Sequence, residues 1–214
     1  MVPHSAAMSV PSPDLSALAL DDDTRRRLDF LVTAHGLTGV ERLNRLVDGS
    51  RGETSAEHSW HLALWALVLQ PAVAPETQLE RVLSMLLVHD VVEVDTGDTP
   101  FHDVAARAAI ADAEAAAAVR LFGLLPDDVG PRGRELWEEF EHGATPEARF
   151  ARALDRLQPL VLHWSGDGSA WRDGDRTGDQ LRDVLLAEIE RHWPPLVPIA
   201  VAVIDDAQRR GMVG

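Results

Sequence analysis

Residues 79–100, LERVLSMLLVHDVVEVDTGDTP, decide how this chain folds. Val82, Leu83, Leu86, Leu87, Val91 and Val92 recur close to a 3.6-residue period, which predicts a helix from about Thr77 to Val94. Thr96-Gly97-Asp98-Thr99-Pro100 ends it with turn formers. His89-Asp90 sits between the apolar rows, where an unpaired carboxylate is costly because burial strips its hydration. A cation removes that cost: neutral imidazole gives a lone pair and the carboxylate gives charge. Asp155, within FARALDRL (150–157), repeats the pattern of an acid inside an apolar helical run.

Working outward, Thr54-Ser55-Ala56-Glu57 has the form of a capping box and opens a helix through the apolar run Trp60–Leu69. His58 therefore falls in the first turn, and Pro71–Pro75 closes the helix. Upstream, Asp21–Thr24 caps a helix reaching His35; a short helical piece at Gly39–Leu46 and a turn at Val47–Ser50 follow. Downstream come an alanine-rich helix, Val104–Phe122, and a short helix carrying Leu136, Trp137 and Phe140. Thr145-Pro146 then starts a helix reaching His163, with Pro159 kinking its last turn. Ser165–Gly178 reads as an exposed loop flanked by Trp164 and Trp171, both placed to touch a ligand. Two helices, 179–192 and 196–210, end the chain. No run alternates long enough to predict a strand, so the expected fold is an all-α, single-domain helical bundle over 21–214. Residues 1–20 lack a basic n-region and contain three prolines, as expected of a flexible leader and not of a secretory signal.

Composition narrows the function. At 214 residues the chain can bury a full core. It has no cysteine, which rules out disulfides, thiolate metal ligands and a cysteine nucleophile, and fits a cytoplasmic protein. A net charge of −15 argues against a nucleic-acid polymer as partner. No apolar run long enough to span a membrane is free of charges. An acidic protein that binds phosphate needs a focused local cation.

The series His58, His89-Asp90 and Asp155, extended by Glu93 and by Thr96-Gly97-Asp98, resembles the H…HD…D pattern of the HD-domain superfamily. Thr54–Ser59 and His89–Pro100 resemble its small 5′-deoxynucleotidase branch, and the likeness covers roughly residues 25–165. The resemblance implies an HD-type bundle with His58, His89, Asp90 and Asp155 around one divalent ion. Two imidazoles and two carboxylates suit Mn, Co, Fe, Ni or Zn better than Mg, and Ca least. It implies Glu93, on the helical face of His89 and Asp90, as catalytic acid/base, and Asp98 as a contact to sugar or water. In the branch an Asn-Arg-Trp segment holds phosphate and base; Asn44-Arg45 matches it if two residues are deleted afterwards, with Leu46 in place of the aromatic. Arg45 and Arg51 are thus the candidate phosphate ligands. His61, although spaced as H-x-x-H with His58, is left out because the later doublet completes the set.

The expected reaction is hydrolysis of a (deoxy)nucleoside 5′-monophosphate. The alternatives are the same site acting on a nucleoside triphosphate, an alarmone or a non-nucleotide phosphate, a non-catalytic metal-stabilised regulatory module, and a metal-free helical interaction protein. The resemblance also implies a homodimer, assigned to the apolar helix Val197–Ile204.

Overall fold

The computed structural model of the chain describes residues 14–99, 104–166, 168, 171 and 177–214. Helices dominate: α1 (Asp22–Ala34), α2 (Ser55–Val73), α3 (Leu79–Val88), α4 (Glu93–Thr96), α5 (Val104–Phe122), α6 (Gly130–His142) and α7 (Pro146–Ser165). Next, α8 runs Gly178–Leu181, widens into a π-helical turn at Arg182–Leu186 and continues as Ala187–His192; α9 is Val197–Arg209. The all-α expectation holds for the bundle. It misses a small antiparallel pair, β1 (Glu41–Arg45) with β2 (Gly52–Thr54), where a helical piece was expected. The 3₁₀ turn His35–Gly39 feeds β1, and the turn at residues 47–50 closes the hairpin. Of the expected leader, residues 1–13 lie outside the described residues, and Leu15–Ala17 forms a 3₁₀ turn.

Local chemistry accounts for the helix ends. Thr54 Oγ1 accepts from the Glu57 amide while the Glu57 carboxylate accepts from the Thr54 amide, which is the capping box. Pro71 lies inside the last turn of α2 and does not end it; the helix runs on to Val73. Thr145 caps α7 through the Ala148 amide, with Pro146 at the first helical position. The helix expected across 77–94 is two helices. The Val91 amide bonds Val88 O at 3.2 Å and the Glu93 amide bonds Asp90 O at 2.9 Å, so the chain winds tighter between α3 and α4. That turn brings two adjacent side chains, His89 and Asp90, to the same cavity.

The main core gathers α2, α3, α7, α8 and α9 around Leu62, Met85, Phe150, Leu154, Ile189 and Ile204, all fully buried. A second cluster packs Val91 and Val92 against Ala118, Leu121 and Phe122 of α5. In the helix Val197–Ile204, expected to serve a homodimer, Ala200, Val203 and Ile204 are buried in the chain's own core, and Val197, Ile199 and Val201 are half-buried. The exposed apolar row lies instead on α2, at Trp60, Leu64, Leu67 and Val68. No described helix is long and apolar enough to cross a membrane.

Candidate metal centre

Three helices converge on one buried point. His58, in the first turn of α2, is fully buried, and its Nδ1 lies 3.2 Å from Gln158 Oε1. Gln158 donates its amide to Glu53 Oε1 at 3.1 Å, which orients the amide oxygen toward the imidazole. His58 Nδ1 therefore donates, and its Nε2 lone pair points at Asp155 Oδ1, 3.0 Å away. Burial, and next the charge of Arg42, push His58 below the usual histidine range, so the ring is neutral.

His89 repeats the arrangement. Its Nδ1 donates to Leu86 O at 2.9 Å, and its buried Nε2, without a hydrogen-bond partner among the described residues, lies 3.1 Å from Asp90 Oδ1. Ligand atoms of His58, His89 and Asp155 all lie within 4.8 Å of one another. Lone pairs facing carboxylate oxygens at 3 Å repel unless a cation lies among them. These donors therefore fit a divalent metal. Asp90 stands at the edge of the set, with one oxygen beside His89 and the other accepting from Arg42 Nη1 at 3.1 Å.

Arg42, which sequence reasoning did not select, ties the acids together. Its Nη1 also lies 3.2 Å from Asp98 Oδ1, and its Nε lies 3.9 Å from Glu53 Oε2. Burial opposes its charge, but Asp90 and then Asp98 outweigh burial and raise its pKa. Glu93 is pushed well above the ordinary carboxylate range by burial and by Asp90, against Arg42; Ser55 Oγ donates to it at 2.5 Å. Burial also raises Asp98, against Arg42. For Asp155 burial acts upward, but Arg156, bonded at 2.8 Å, and His58 hold it well below its usual value. Within one cavity the surroundings thus push Glu93 up and Asp155 down.

These groups open into a cavity of about 330 Å³, lined at one end by His89, Asp90, Glu93, Asp98, Asp155 and Arg42. Arg107, Arg152 and Arg156 also reach it. Arg45 and Arg51 do not. Arg45 Nη2 bonds Gly49 O at 2.7 Å within the hairpin, and Arg51 pairs with Glu57 at 2.5 Å. His61 is also outside the ligand set; its Nε2 accepts from Trp65 Nε1 at 3.1 Å.

A family model described as HD domain matches residues 35–196. The chain belongs to the HD-domain family. A solved structure described as a predicted metal-dependent phosphohydrolase, from Magnetospirillum magnetotacticum, is 40% identical and covers 91% of this chain and all of its own, with a TM-score of 0.83. The bovine 5′-deoxynucleotidase HDDC2 is 29% identical over 191 residues, 89% of each chain. The zebrafish 5′-deoxynucleotidase HDDC2 is 31% identical over 109 residues, so the match spans about half (53%) of that relative's length. The PH0347 protein of Pyrococcus horikoshii, 24% identical with a TM-score of 0.61, shares the fold of this HD domain.

Proposed function

We propose that this HD-domain protein is a metal-dependent phosphohydrolase that converts a (deoxy)nucleoside 5′-monophosphate to nucleoside and phosphate. The observation that carries the reading is the pair of buried imidazoles whose Nε2 atoms face carboxylate oxygens at 3.0 and 3.1 Å. His58, His89, Asp90 and Asp155 hold one divalent ion, with the donor set favouring Mn, Co, Fe, Ni or Zn over Mg. The hydrolase names of the bovine and Magnetospirillum relatives support the chemistry.

When bound, the ion supplies Lewis acidity and an acidified water. The chain supplies the rest. Arg42, at the cavity wall between Asp90 and Asp98, balances the phosphate charge, a role expected of Arg45 or Arg51, neither of which lines the cavity. Glu93, whose carboxyl burial pushes up, serves as the acid that gives a proton to the leaving oxygen. Asp98 orients the sugar or that water. Arg107, Arg152 and Arg156 already face Glu114, Glu141 and Asp155, so among the described residues the cavity offers no uncompensated cationic cluster for a triphosphate. No side chain is needed as a covalent nucleophile.

A second copy would cover the exposed row on α2, and the cysteine-free composition fits a cytoplasmic setting. Light scattering of Trp60→Glu should then report a monomer where the native chain is a dimer. The function itself is tested by phosphate release from deoxynucleoside and ribonucleoside mono- and triphosphates, with Mn, Co, Mg or Zn added singly. Asp90→Ala should lose metal and turnover together. Turnover retained without bound metal would overturn the reading.

A further inference from the structure

The cavity has a second end that the phosphate chemistry does not use. Asp155, Pro159 and His163 line it from one face of α7, four residues apart, as on any α-helix. At 1.5 Å per residue, His163 lies about 12 Å along the helix from the candidate metal ligand Asp155. There the walls turn apolar: Leu160, Leu181 and Leu185, closed by Trp171, which is buried. The Trp171 and His163 rings meet edge to face, with centroids 5.6 Å apart at 85°. Among the described residues, His163 Nε2 is buried and has no hydrogen-bond partner. Burial pushes the imidazole down to about 4, so near pH 7 it is neutral, with one N–H and one lone pair. A buried polar atom beside an indole is costly unless something completes it.

We infer that this end of the cavity seats the planar heteroaromatic ring of the leaving group, against Trp171 and the leucines of α8, with His163 Nε2 bonded to the ring's polar edge. The inference rests on the phosphohydrolase reading and names its substrate class. The spacing suits a phosphate and a ring separated by a sugar. The hairpin cannot supply the stacking surface: Leu46 stands where the related branch has an aromatic residue, and Leu43 at the cavity rim is 70% exposed. Trp171 takes over that role from the opposite side.

The test compares two probes bound to the metal-supplemented protein by calorimetry: deoxythymidine 5′-monophosphate and deoxyribose 5-phosphate, which lacks the ring. The native chain should bind the nucleotide about ten-fold tighter or more, the scale of one base–aromatic stack. Trp171→Ala and, separately, His163→Ala should remove most of that advantage and leave the affinity for the sugar phosphate unchanged. An advantage that survives both substitutions overturns the inference, as does a native chain without one. Equal losses for both probes in variants that keep the native unfolding midpoint would also overturn it, since the advantage of the ring would then not depend on either side chain. If the advantage follows the variants but no phosphate is released from either probe, the ring site stands and the hydrolase reading fails.

Discussion

Arg42 and Arg45 are three residues apart on one short strand and lead different lives. Arg42 is nearly buried between Asp90 and Asp98, whereas Arg45 is exposed and bonds only within the hairpin. Along β1 the side chains alternate between exposed and half-buried, with Arg42 and Asn44 turned toward the bundle and Glu41, Leu43 and Arg45 toward solvent. An arginine's role here is set by parity and not by nearness to the ligand histidine. Arg51 is closer to His58 in sequence than Arg42 is, yet it spends its guanidinium on Glu57.

The sharpest attack on that contrast is Arg42→Ala beside Arg45→Ala. The first should lower kcat/KM by roughly two to three orders of magnitude, as for removal of a preorganised donor at a developing anion. The second should stay within about two-fold. Comparable losses in steady-state assays would end the parity argument. Adding Glu41→Arg to Arg42→Ala sharpens it further, because a cation is restored one residue away but on a side chain that does not line the cavity. No recovery over Arg42→Ala is expected. A recovered rate would mean that any nearby cation suffices.

Smaller effects belong to the outer face. Thr54→Ala removes the cap of α2 and should cost about 1 kcal/mol in urea unfolding. Metal stoichiometry by elemental analysis should not change, since His58 is fixed by Gln158 and not by the cap. Glu57 is held down at about 2, first by the hydrogen bond from Arg51. Its folded value is depressed, so its stabilisation is complete above the ordinary value of 4.5 and is lost as pH falls toward 2. Urea midpoints of the native chain and Glu57→Gln should therefore differ by a small constant amount down to about pH 4.5 and converge below it. A gap that widens in acid would contradict the assignment.

Much of this was legible in the residues. The capping box at Thr54, the Thr145-Pro146 start and the helix Val104–Phe122 each follow from local chemistry, and the structure reproduces them. The buried acids at positions 90 and 155 were visible as charges inside apolar periodicity, a signal that needs no tertiary information. Arg42 was not visible. Five residues of a hairpin strand carry too little alternation to be told from a short helix, and the pairing that makes them a strand comes from Gly52–Thr54 beyond a turn. The break after Val88 was hidden for a related reason. Apolar residues at 91 and 92 continue the helical period, while they in fact pack into a different cluster under α5.

The π-helical turn in α8 has a consequence for how this cavity can diverge. Leu181, Val184 and Leu185 line the cavity on and beside that turn, which holds one residue more than an α-helical path would need. Deleting a single residue there would rewind the turn to an α-helical path, keep both flanks close to their present phase and remove one side chain from the turn itself. The far wall would then change at the turn while the ligands on α2, α3 and α7 stay in place. Substrate choice in this chain is therefore open to change by insertion and deletion as well as by substitution.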